Sequence, residues 1–190
     1  MSLTAGSKAP DFTSKDENGS EVKLADFKGK KLVLYFYPKD MTPGCTAESC
    51  NLRDNYKALL KQGYEVLGVS TDSEKSHQKF IAKEKLPFRL LADTDKSLHS
   101  KFGTWVEKSM YGRKYMGTAR TTFIIDENGM IEDVIEKVDT KNHADQILKG
   151  SGGTTAKAIA KKPAAKKSTP KKPAKKAAKK VVKKVVKKKK

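Results

Sequence analysis

The sequence predicts an α/β domain, a central mixed sheet between helices, followed by a basic tail. Three observations carry this. Two apolar runs, Leu32–Tyr37 and Glu65–Ser70, are separated by a stretch with helical spacing, the strand–helix–strand order of a parallel pair. Asn18-Gly19 and Asn128-Gly129 each lie between short strand-like runs, the signal of a tight hairpin. Charge is partitioned: of 41 Lys and Arg, 17 are lysines in residues 151–190, which hold no Asp or Glu. Taking those 17 away leaves 24 basic against 22 acidic groups in residues 1–150, a net of +2 out of +19. The first 150 residues are therefore near neutral and long enough for one substantial core.

The elements follow in order. Asp11–Ser14 and Glu21–Leu24 flank Asn18-Gly19 as an opening hairpin, and Phe27–Lys30 is a turn. Leu32–Tyr37 is a buried strand ended by Pro38, whose fixed φ and missing N–H stop a ladder. A helix is expected from about Cys45 to Gln62, with Leu52, Tyr56, Leu59 and Leu60 on one face and Gly63 as its stop. Glu65–Ser70 is a second buried strand. Asp72 or Ser73 caps a helix reaching about Lys85, Phe88–Leu91 is a short strand, and Asp95–Phe102 is a short helix. The glycines of residues 103–117 read as loop punctuation. Thr121–Asp126 and Met130–Ile135 form a closing hairpin, and Asn142–Lys149 is a last helix. This order suggests a thioredoxin-like fold with an N-terminal hairpin.

Residues 151–190 contain no aromatic residue, and their apolar residues are chiefly Ala and Val. Such a segment buries too little surface to offset its ordering entropy, so it is expected to be disordered when free. Its lysines pair at short intervals: Lys161-Lys162, Lys166-Lys167, Lys171-Lys172, Lys175-Lys176 and Lys179-Lys180. Point charges at this density suit phosphates, and nothing offers base-edge readout, so a non-specific nucleic-acid partner is expected. A purely solvated tail, an anionic membrane and a nuclear import signal are the other readings; the absence of aromatic or lipid anchors weakens the membrane. No apolar run approaches transmembrane length, and Met1–Gly6 lacks the pattern of a secretion signal. The expected setting is cytoplasmic, at the nucleoid of a bacterium or in a nucleus.

The chemistry concentrates between Tyr35 and Cys50. Cys45 and Cys50 are the only two cysteines. Cys45 falls where a helix begins, so its sulfur meets unpaired N–H groups and the positive end of the dipole, which favour its nucleophilic thiolate form. Pro38, Thr42 and Cys45 have the spacing P-x-x-x-T-x-x-C. Thr42 offers a hydroxyl, Pro43-Gly44 a tight turn that a small substrate can approach, and Glu48 a carboxylate one helical turn beyond Cys45.

This segment resembles the active site of peroxiredoxins. Thr42-Pro43-Gly44-Cys45-Thr46 with Cys50 is similar to the PrxQ subfamily, also called bacterioferritin comigratory protein. The resemblance spans about residues 4–149 and includes Gly103–Lys108, Tyr111–Gly117 and Arg120–Asp126 in the same order. It implies that Cys45 is the peroxidatic and Cys50 the resolving cysteine, joined as a redox disulfide. It implies that Arg120 approaches the thiolate and holds the departing oxygen, and that Thr42 binds substrate. It further implies hydrogen peroxide and organic hydroperoxides as substrates, thioredoxin or a similar dithiol as reductant, no cofactor or metal, and a monomer. Pro38, Pro43, Gly44 and Glu48 would line the substrate pocket. The tail lies outside this resemblance and is similar to the C-terminal tails of linker histones.

Other readings compete. A thioredoxin-type oxidoreductase would need C-x-x-C, whereas here four residues separate the cysteines. Two cysteines are too few for a zinc site. Cys50 as a core residue, Arg120 in a plain ion pair and Glu48 on a helix surface are the bland alternatives. His77, His99 and His143 receive no role, and Trp105 reads as core or pocket wall. The alternative function is a nucleic-acid-binding protein with a non-catalytic thioredoxin-like carrier, which has no reason to keep Thr42, Cys45, Cys50 and Arg120 together.

Overall fold

In the computed structural model, which describes residues 3–110 and 112–150, side-chain alternation along Leu32–Tyr37 decides the layers. Strands β1 (Thr13–Lys15) and β2 (Glu21–Lys23) pair antiparallel, and a single 3-10 turn (Leu24–Phe27) leads to β3 (Lys31–Phe36). Helices α1 (Pro43–Asp54) and α2 (Tyr56–Lys61) carry the chain to β4 (Tyr64–Ser70), which lies parallel to β3. Helix α3 (Glu74–Glu84) crosses to β5 (Arg89–Ala92), parallel to β4, and α4 (Ser97–Lys101) follows. Strands β6 (Trp105–Met110) and β7 (Arg113–Thr118) form a separate hairpin. Strands β8 (Thr121–Ile125) and β9 (Ile131–Ile135) join the main sheet antiparallel, and α5 (His143–Gly150) ends the described chain. The sheet order is β5-β4-β3-β8-β9, a mixed sheet with the expected thioredoxin-like arrangement.

The period of two along β3 divides the core. Leu32, Leu34 and Phe36 face one side with Phe12, Val22, Leu98 and Phe123. Val33, Tyr35 and Tyr37 face the other with Leu52, Leu59, Phe80, Ala144 and Ile147 from α1, α2, α3 and α5. Cys45 belongs to the second cluster. The described residues fall within one compact unit, Met1–Thr155.

Two expectations need correction. The helix expected through Gln62 breaks at Asn55, whose side-chain amide donates to the Asn51 carbonyl at 2.9 Å and offers the backbone an alternative to helix. Residues 103–117 are largely strand rather than loop: β6 and β7 turn at Gly112, which has φ 77°. Arg113–Met116 are all exposed, so no buried face imposes an apolar alternation for the sequence to display. The 17 tail lysines, the named pairs among them, lie outside the described residues. Among the described residues no helix is long and apolar enough to cross a membrane.

Candidate active site

The site lies where β3 ends, and strand pairing brings its parts together. Phe36 pairs with Thr121 at the end of the antiparallel β3–β8 ladder. The chain leaving β3 toward Cys45 and the chain entering β8 from Arg120 therefore meet at one sheet edge.

The loop after β3 is fixed before the helix starts. Asp40 is buried, and its carboxylate accepts from the Tyr37 hydroxyl at 2.7 Å and the Ser76 hydroxyl at 2.6 Å, and meets His77 Nδ1 at 2.9 Å. Its backbone N–H donates to Asp72 at 2.8 Å. Burial works to raise the Asp40 carboxyl, but His77, Ser76 and Tyr37 outweigh it and hold the group below its ordinary value. Helix α1 then begins two residues earlier than expected, with Pro43 at its first position, where the missing N–H costs nothing. Thr42 is the N-cap, but its side chain does not cap; the hydroxyl donates to the Lys39 carbonyl at 3.0 Å. Its lone pairs are left to accept, and the first-turn N–H groups are not taken up by the cap side chain.

Cys45 is the third residue of α1 and only 1% exposed. The Arg120 guanidinium donates through Nη2 to Cys45 Sγ at 3.3 Å and through Nη1 to Glu48 Oε2. Glu48 is fully buried, not a helix-surface acid. Gly44 lies against Arg120: a Cβ there would stand 3.6 Å from Nη2, an ordinary packing distance. Pro38 and Pro43 are exposed at the loop ends. The structure thus gathers Thr42, Pro43, Gly44, Cys45, Glu48 and Arg120, and leaves Cys50 apart. Cys50 is five residues along the same unbroken helix, with Sγ 3.6 Å from Glu84 Oε2 at the end of α3. Both cysteines are free thiols. A cavity of about 590 Å³ is lined by Thr13, Ser73, Thr94 and Asp95, away from Cys45. A substrate the size of a peroxide needs no such cavity.

Sequence reasoning missed the histidines. All three are fully buried beside carboxylates: His77 with Asp40, His99 with Asp93 and His143 with Glu48. Only the last borders the Arg120 pair. Isolated histidines gave no signal: the carboxylates that meet His77 and His143 come from distant segments, and only Asp93, six residues before His99, lay within a local window.

The sequence matches the model of the AhpC/TSA family over residues 5–134. Peroxiredoxin Bcp of Escherichia coli is 47% identical over 146 residues, 77% of this chain and 94% of that one. The chain is a peroxiredoxin of the Bcp/PrxQ group. Among solved structures, Xanthomonas campestris peroxiredoxin Q superposes with a TM-score of 0.72 at 37% identity, over 77% of this chain and 96% of that one. A structure of Xanthomonas campestris bacterioferritin comigratory protein, concerned with its alkyl peroxide reduction activity, gives 0.72 at 36% identity over the same shares. The peroxiredoxin is accordingly a thiol peroxidase, and the family match, ending at residue 134, stops short of the tail.

Proposed function

We propose that this peroxiredoxin reduces hydrogen peroxide and organic hydroperoxides at Cys45, resolves through Cys50, and carries a nucleic-acid-binding tail. The observation that carries the catalytic part is the Arg120 contact to a buried sulfur in the first turn of α1. The attacking species is the Cys45 thiolate, with the Arg120 cation and the N-terminus of α1 beside it. That thiolate attacks the nearer peroxide oxygen, the O–O bond breaks, and Cys45 becomes a sulfenic acid while the leaving alkoxide or hydroxide takes a proton from solvent. Arg120 stabilises the charge developing on the departing oxygen, and Thr42 accepts a hydrogen bond from the peroxide O–H. The alkyl peroxide activity of the Xanthomonas campestris relative supports organic substrates here.

Cys50 then attacks the sulfenic acid, giving the Cys45–Cys50 disulfide and water. On an α-helix, residues five apart differ by about 140° in direction and about 7.5 Å in rise, beyond the ~7 Å Cα separation a disulfide accepts. Resolution therefore unwinds part of α1. A dithiol such as thioredoxin returns two electrons and restores both thiols, with the monomer as the working unit.

The tail's 17 lysines against no acid support non-specific phosphate binding, which would concentrate peroxide removal at nucleic acid in the cytoplasm, nucleoid or nucleus. If about ten phosphates are neutralised, log K falls with log salt at a slope near −9. One experiment tests both halves: thioredoxin-dependent peroxide turnover and DNA gel shifts at two salt concentrations, for the full chain and residues 1–150. Equal turnover with DNA binding confined to the full chain is expected. Absent turnover in both would return the alternative of a non-catalytic carrier, and equal DNA affinity would sink the tail assignment.

A further inference from the structure

We propose that His143 is a positioning residue for peroxide reduction: its Nδ1–H holds the Glu48 carboxylate, and through it the Arg120 guanidinium, at Cys45. The proposal rests on Arg120 acting in the oxidation step. Glu48 has no exposure, and only its Oε2 is engaged, by Arg120. Its Oε1 lies 3.3 Å from His143 Nδ1, short of hydrogen-bond alignment, and neither atom has a hydrogen-bond partner among the described residues. Two orphaned polar atoms, both buried and 3.3 Å apart, are accounted for together if a slight turn of either side chain brings a proton between them.

The chemistry of the groups decides which atom carries it. A carboxylate only accepts, so the proton belongs to His143 Nδ1. Nε2 is then a bare acceptor, and the buried Thr122 hydroxyl, 2.9 Å away, donates to it. Burial, then the nearby Arg120 charge, push the imidazole down to about 4, so the ring is neutral at pH 7 and does not compete with Arg120 for Glu48.

The ring is also held rigidly. Tyr35 packs edge-on against it at 6.1 Å between centroids. Asn51 of α1 accepts from the Ala144 N–H at 2.8 Å and donates to the Lys141 carbonyl at 2.7 Å, which seats the start of α5 on α1. Without the Nδ1–H, one oxygen of a buried carboxylate loses its donor, the carboxylate can turn, and Nη2 loses its register on the sulfur. Misplacement by about 1 Å can cost up to about 10²-fold in rate.

The test uses the reduced full chain. Histidine ¹⁵N shifts report the tautomer directly, with the His143 signal assigned by its loss in His143→Asn. Stopped-flow rates of Cys45 oxidation by hydrogen peroxide are measured for His143→Leu and His143→Asn, each also in an Arg120→Met background. The neutral Nδ1–H tautomer is expected. His143→Leu should slow oxidation about tenfold, and His143→Asn, whose amide N–H falls near the Nδ1 position, should recover to within about threefold of wild type. In Arg120→Met, His143→Leu should add nothing. An Nε2–H or doubly protonated ring, equal losses for Leu and Asn, or an undiminished Leu effect without Arg120 would each overturn the proposal while leaving Arg120 in place. A wild-type rate in Arg120→Met alone would remove the Arg120 reading and this proposal with it. Should His143→Leu fail to fold, the tautomer and the Asn variant still decide.

Discussion

Cys45 and Cys50 share one helix and have opposite electrostatic surroundings. Cys45 is buried against the Arg120 guanidinium in the first turn. Cys50 is partly exposed, and its nearest hydrogen-bonding neighbour is the Glu84 carboxylate. Burial first, and Glu84 after it, raise the Cys50 thiol above its ordinary value, with Arg53 opposing. Arg53 also ties α1 to α3 by donating to the Glu84 carbonyl at 2.6 Å. Identical side chains thus meet different surroundings because two faces of one helix pack on different elements, the segment entering β8 and the end of α3.

The largest expected effect separates the two thiols outright. Cys45→Ser should abolish peroxide turnover, whereas Cys50→Ser should consume about one equivalent of peroxide and then stall without an added thiol. Appreciable turnover in Cys45→Ser, measured free of catalase, would erase the distinction. Next comes the cation. Arg120→Met should slow Cys45 oxidation by about 10²–10³, read by stopped flow at unchanged folding.

The anion beside Cys50 should matter less. In a Cys45→Ser background, alkylation of Cys50 should gain rate with pH up to a midpoint above that of an ordinary thiol, because its thiolate is disfavoured. Glu84→Gln removes that carboxylate's charge, so the midpoint should move down part of the way, with burial and the Asp54 charge keeping the rest. A midpoint unmoved by Glu84→Gln would reduce the comparison to burial and Asp54. Smallest is Thr42→Val, which should slow the peroxide step several-fold while leaving reduction of the disulfide by a dithiol unchanged.

Much of this was legible in the sequence because it depends on local pattern. The apolar runs of β3 and β4, the Asn-Gly turns and the P-x-x-x-T-x-x-C spacing are all contained in short windows. So is the placing of Glu48 one turn beyond Cys45, although its burial is not. The β6–β7 hairpin escaped because it lacks a buried face, and Asn55 because one side-chain hydrogen bond breaks an otherwise helical pattern. His143 and Glu84 escaped for a different reason. Their partners, Glu48 and Cys50, lie 95 and 34 residues away, and only the folded sheet brings them into contact.

The seating of α5 on Asn51 has a mechanical consequence. In the proposed cycle, closing the disulfide would draw the Cα atoms of Cys45 and Cys50 together, so the segment would pull on both of its moorings. Upstream, Asp40 is held through four contacts to Tyr37, Asp72, Ser76 and His77. Downstream, three contacts hold α1: Asn51 to the Ala144 N–H and the Lys141 carbonyl, and Arg53 to the Glu84 carbonyl. The weaker mooring should slip first, carrying the load of each catalytic cycle into the helix that leads to the tail. Faster hydrogen exchange at the Ala144 amide on oxidation, with Asp40 unchanged, would register that slip; the reverse order would place the give at the loop after β3.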